Sequence, residues 1–372
     1  MKLQEWRNEA SENEQMYEDI KGIMGMGNFL KGMDSLHKEN ALENILKRTR
    51  QRSFGYSRIL KYAAVLLLPL LLGGTLFYVL TFKRQAGEVL PVSVTKQILP
   101  GGPKAILYLS DGQVIDLNRI VDSVIVDKHS GQEIALSKDI NELNYSGVTR
   151  DIGQSKELAY NRIEVPRGGE YMLVLSDGTK VWLNSETRLE YPLAFGEHSR
   201  EVRLSGEAYF EVTKDEARCF NVIMEGATIE VMGTSFNASC YPGEGQCWAV
   251  LESGKINLRT DHGVAAVNVG ECASYDIASG KVTVESVDLK YFTSWRYGTF
   301  YFYNTPLSEI VQKLGRWYDV NFKFADESLR EVCFSGAALR SKPIDFMLEL
   351  LSSTQSLKFD IQSDGVIIIY KK

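Results

Sequence analysis

Twenty consecutive residues without a charge, AAVLLLPLLLGGTLFYVLTF from Ala63 to Phe82, constrain this chain more than any other feature. As a helix, such a run covers about 30 Å, the thickness of the hydrocarbon core of a bilayer. A helix buried in a soluble core would carry a polar stripe every 3.6 residues, and none is present. A secretory signal would start near residue 1, whereas this run follows a long polar segment. The sequence therefore predicts a single transmembrane helix over residues 62–82. Lys47, Arg48, Arg50, Arg52, Arg58 and Lys61 precede it, and only Lys83, Arg84 and Lys96 follow at similar distance. The excess of basic residues before the span places the N-terminus in the cytoplasm and the larger C-terminal part outside it. Cys219, Cys240, Cys247, Cys272 and Cys333 all lie beyond the span, where disulfides are permitted.

Residues 1–61 read as a helical cytoplasmic head. Ser11 followed by Glu14 is a capping-box pattern, and Met16, Ile20, Ile23 and Met24 then share one helical face. Leu36, Leu42, Ile45 and Leu46 repeat the spacing, with Gly22, Gly25, Gly27 and Gly32 between. Two short amphipathic helices bury little surface alone, so their apolar face suits the groove of a partner protein. The alternative is an unstructured tail that only anchors. The net charge of −6 argues against direct binding of nucleic acid, which needs a basic face. Four histidines in the chain give no His-rich metal site, and no cofactor is expected.

Residues 90–290 read as all-β, with alternating runs at Tyr171 to Leu175 and Lys180 to Leu183. A self-similarity appears at an offset of 66, between PGGPKAILYLSDGQVIDLN (Pro100 to Asn118) and PRGGEYMLVLSDGTKVWLN (Pro166 to Asn184). Asp111-Gly112 and Asp177-Gly178 each lie between alternating runs, which predicts two related hairpins with tight type I′ turns in one sheet system. Beyond residue 294 the period changes. GTFYFYN is a strand, and Pro306 opens a helix with Leu307, Ile310, Val311, Leu314, Trp317 and Tyr318 at helical spacing. VNFKF and VCFSGAAL are strands, Pro343 opens a second helix with Ile344, Met347, Leu348 and Leu351 on one face, and LKFDIQ and VIIIY close the chain. Residues 294–372 are thus expected to form a small α+β domain, a βαββαββ sandwich.

VPRGGEYMLVLSDGTKVWLNSETRLEYP, RLSGEAYFEV (Arg203 to Val212), GTSFN (Gly233 to Asn237) and LESGK (Leu251 to Lys255) together resemble the FecR family of membrane-spanning anti-sigma factors. SWRYGTFYFYNTPLSEIVQKLGRWYDV and CFSGAALR resemble the C-terminal domain of the Bacteroidetes-type members, itself similar to the short N-terminal domain of secretins and TonB-dependent transducers. The resemblance implies an inner-membrane protein, N-terminus in the cytoplasm and C-terminus in the periplasm. It implies that the head, through the Met16, Ile20, Ile23 and Met24 face, holds an extracytoplasmic-function sigma factor. It also implies a signal received from the N-terminal domain of an outer-membrane TonB-dependent transducer. Family heads usually extend further upstream than Trp6 to Arg48, so this one is expected to start partway in. A rival reading is a membrane-anchored periplasmic module that senses a small ligand without binding sigma.

No motif points to an enzyme. Glu207 and Glu211 share one strand face about 13 Å apart, too wide for a glycosidase carboxylate pair. Some FecR-like proteins resemble self-cleaving proteins at a Gly-Thr bond, which makes Gly233 and Thr234 candidates. The alternative is a glycine turn capped by Thr234, since the nearest histidines in sequence are His198 and His262. Cys240 and Cys247 fall opposite each other if Pro242 to Gly245 form a four-residue loop, which allows either a disulfide or two packed thiols. Trp295, Trp317 and Tyr318 form an aromatic cluster that serves either as a docking surface or as helix-packing core.

Overall fold

The computed structural model describes residues 98–119, 123–126, 133–137, 142–146, 148 and 159–372. The expected cytoplasmic head and transmembrane helix lie outside these residues. Among the described residues no helix is long and apolar enough to cross a membrane.

The molecule is mainly β, as its alternating sequence requires. Gly169–Val174 and Lys180–Leu183 pair antiparallel with Tyr171 opposite Leu183, the hairpin predicted from SDG. Among the described residues up to Ser286 the strands form one connected system of 19 in two layers. They share a single core, which takes Ile163, Leu189, Val202 and Phe220 from one layer and Leu173, Val181, Phe210 and Phe236 from the other, all 0% exposed. The layers are joined by Ser199–Glu211. Its first half pairs with Thr187–Pro192 and Cys219–Met224, and its second half with Lys180–Leu183 and Ser235–Cys240. The switch falls at Gly206, with φ 115°, where a Cβ would stand 2.5 Å from Thr187 Oγ1. A bend at this closeness accepts only glycine.

The two related hairpins belong to one connected strand system, as expected, but occupy different layers and do not have the expected turn type. Ile106–Tyr108 and Val114–Asp116 lie in the first layer, whereas their counterparts lie in the second. The turns are three-residue loops, not type I′. Leu109 N donates to Gln113 O at 2.9 Å, and Gly112 N donates to Leu109 O at 3.0 Å; Leu175, Gly178 and Thr179 repeat this at 2.8 and 2.9 Å. Only Gly112 (φ 85°) and Gly178 (φ 83°) enter the left-handed region, whereas type I′ needs both central residues there. Asp111 and Asp177 instead accept from the second amide onward, Gln113 N and Thr179 N, which stabilises a type I turn followed by a glycine bulge.

Helix α1 (Leu289–Thr293), capped by Asp288, then leads into the C-terminal domain. Its elements run strand, helix, strand, strand, helix, strand, strand in the predicted order. Thr299–Pro306 pairs with Cys333–Leu339, and Val366–Lys371 lies between Asn321–Phe324 and Leu357–Ile361. Helices α2 (Leu307–Tyr318) and α3 (Ile344–Thr354) each follow a proline, which sits at the cap position rather than inside the first turn. The predicted faces are buried in one core.

Candidate functional site

The chemistry-bearing residues gather where the β domain meets the C-terminal domain. Arg340 follows the strand Cys333–Leu339 and is 2% exposed. Its Nη1 donates to Trp295 O at 2.9 Å and lies 3.3 Å from Glu170 Oε2, while Nη2 donates to Asn184 Oδ1 at 3.0 Å. The guanidinium lies 3.6 Å from the centre of the Trp317 ring, and Trp317 Nε1 donates back to Arg340 O at 2.8 Å. Arginine suits this place because its flat cation stacks on an aromatic face and still donates in plane. Burial pushes the Glu170 carboxyl above the ordinary carboxylate range, and the Arg340 charge opposes that rise.

Three further groups close the joint. Arg167 donates from Nη2 to Gly315 O at 2.8 Å and Val320 O at 2.6 Å, and pairs with Asp319 at 3.1 Å. These bonds satisfy carbonyls at the C-terminal end of α2, where a cation is favoured. Arg316 lies 3.6 Å from the Tyr241 ring centre and pairs with Glu244 and Glu186. Arg296 pairs with Glu211 at 2.7 Å, 3.8 Å over the Tyr209 ring. Behind them is a small cavity of about 40 Å³, lined by Glu207, Tyr241, Lys313, Arg316 and Arg340 together with aromatic rings such as Trp317. Burial holds the Lys313 ammonium below its usual range, partly offset by Glu309. The arrangement is a charge-matched seam: its carboxylates face arginines and amides.

Glu207 accepts from Asn184 Nδ2 at 2.9 Å and Asn237 Nδ2 at 2.8 Å, and Glu211 is held by Arg296. Thr234 is buried, and its hydroxyl donates to Lys255 O, 21 residues along the chain, at 3.0 Å. Gly233 is required by packing, since a Cβ there would lie 2.8 Å from Lys214 Cα. The register that sets Ser239 opposite Trp248 carries Cys240 opposite Cys247, and their sulfurs are bonded. Trp295, Trp317 and Tyr318 are 8%, 4% and 4% exposed, so they pack inside the joint and the C-terminal core. Met16, Ile20, Ile23 and Met24 lie outside the described residues.

Sequence reasoning assigned no role to Arg167, Arg316 and Arg340. It also passed over Arg200, fully buried and paired with Asp177 at 2.8 Å. For Arg200 a signal existed: it alternates in phase with Val202 and Leu204, the inward side of its strand.

Residues 161–257 match the family model described as FecR protein, and residues 299–369 match that described as FecR, C-terminal. Two solved structures of a candidate anti-sigma factor from Parabacteroides distasonis ATCC 8503 are similar, each with TM-score 0.53 at 26% identity, covering 57% of this chain and 99% of that one. No curated protein sequence matches the chain. The two FecR models thus match in order on the two sides of this seam, and over those residues the chain is similar to FecR proteins.

Proposed function

We propose that this FecR-like regulator is a single-pass inner-membrane anti-sigma factor. Residues 1–61 hold an extracytoplasmic-function sigma factor in the cytoplasm, residues 62–82 cross the membrane, and the FecR domains face the periplasm. There they receive a signal from the N-terminal domain of a TonB-dependent transducer. One observation carries the reading: a charge-free run long enough to span a bilayer stands before two FecR domains that are similar to nearly the whole of a candidate anti-sigma factor. The apolar face of Met16, Ile20, Ile23 and Met24 supplies the sigma-binding helix. Full-length protein purified in mild detergent from uninduced cells should co-purify a sigma factor identifiable by mass spectrometry. Deleting residues 1–61 should abolish recovery. Absence of any sigma factor from the full-length preparation would refute the reading.

A further inference from the structure

The segment that leads into the β domain is gripped by both domains. Ile98 packs against the C-terminal core, and its carbonyl accepts from Ile344 N, at the start of α3, at 3.3 Å. Gly101 lies flat against Trp317, since a Cβ there would stand 2.7 Å from the indole ring and 2.8 Å from Trp317 O. One residue later the partner changes. Gly102 N donates to Gly168 O at 3.0 Å, Gly102–Pro103 pairs parallel with Gly169–Glu170, and Lys104 N donates to Glu170 O at 3.2 Å. The same stretch of the β domain anchors the joint: Gly168 N donates to Arg316 O at 2.7 Å, and the Glu170 side chain meets Arg340.

We propose that residues 98–104 are a strap clamped in this seam, which undocking of the C-terminal domain releases. The two grips are unequal. Toward the β domain the strap makes a two-residue parallel ladder. Toward the C-terminal domain it contributes the apolar contacts of Ile98 and the close seat of Gly101 on Trp317, and both vanish when that domain leaves. The seam itself is built from ion pairs and cations on rings rather than a broad apolar face, the composition of interfaces that open reversibly. A partner that takes up the C-terminal domain therefore loosens the chain leading back toward residue 82. That consequence rests on the membrane reading proposed above, whereas the mechanics of the strap do not.

Hydrogen exchange read by mass spectrometry on the full-length protein in detergent, without any sigma factor, tests this. Arg340→Met should speed exchange of residues 98–104 and of the first turn of α3 by about tenfold or more, leaving 199–211 and 246–253 within about twofold of the parent. Gly101→Val, which replaces no ion-pairing residue of the joint, should by itself speed exchange at Gly102 and Ile344. Unchanged exchange at 98–104 in Arg340→Met, with 315–320 opened, would overturn the proposal. If Arg340→Met unfolds the core strands as well, Gly101→Val decides: no release of the strap in that variant overturns it. Because the readout needs no sigma factor, a failed co-purification and a failed strap are separate results.

Discussion

Replacing Arg200 by methionine should unsettle the β domain more than any exposed substitution. Arg200 is 0% exposed, and its guanidinium makes four hydrogen bonds: to Asp177 Oδ2 at 2.8 Å, Thr213 O at 2.8 Å, and Arg218 O at 3.1 and 2.9 Å. Methionine fills the space but removes all of them. Asp177, itself 6% exposed, keeps the Thr179 amide and hydroxyl at 3.0 and 2.7 Å but loses its countercharge. Breaking a buried pair from one side costs about 3–5 kcal/mol, because an uncompensated charge stays behind. The carbonyls of Thr213 and Arg218 lose their donors, which adds to the cost. For a unit of this size a loss of about 4 kcal/mol lowers the melting temperature by roughly 10 °C. Thermal unfolding of purified protein, followed by near-ultraviolet circular dichroism, reads the shift. The diagnostic is the double mutant. Asp177→Asn in the Arg200→Met background should recover about 2 kcal/mol or more, since it removes the orphaned charge. Additive single and double mutants would refute the argument.

Burial pushes the Cys272 thiol up to about 11, so its thiolate is about a hundredfold scarcer at pH 8 than an ordinary thiol's. Iodoacetamide should label half-exposed Cys333 well before Cys272, with the Cys272 rate rising about tenfold per pH unit up to that value. Denatured without reductant, the chain should take up three alkyl groups, and with reductant five; five in both cases would show Cys240 and Cys247 unlinked. Arg218 and the Ala217 amide hold the Asp215 carboxyl below its usual range. A carboxyl lowered in the folded state contributes stability above its unfolded value and loses it as pH falls through the folded one, so Asp215→Asn should flatten the acid limb of a stability titration. Thr234→Ala should cost about 1 kcal/mol through loss of the bond to Lys255 O, and parent and variant should both run as one full-length band. Two fragments split near residue 233 in the parent alone would return Thr234 to the role of nucleophile.

By itself the sequence determined what depends on near neighbours along the chain. The helical spacing of Leu307, Ile310, Val311, Leu314, Trp317 and Tyr318, and of Ile344, Met347, Leu348 and Leu351, fixed two helices and their buried faces, because 3.6 residues per turn leaves one stripe to cover. The prolines before them marked their starts, and alternation marked the strands. The two SDG hairpins were legible as hairpins. Their turn type was not, since Asp-Gly serves both two- and three-residue loops and the flanking register selects between them. The aromatic cluster was legible as either core or surface; only docking of the β domain and the C-terminal domain buried Trp295 and seated Gly101 on Trp317. Asn184 and Arg340 are 156 residues apart, and Arg167 and Gly315 are 148 apart. No local rule pairs them. A buried cation is tolerable only where folding delivers acceptors and an aromatic face from elsewhere, so the seam of arginines and the strap it clamps exist only in the tertiary structure.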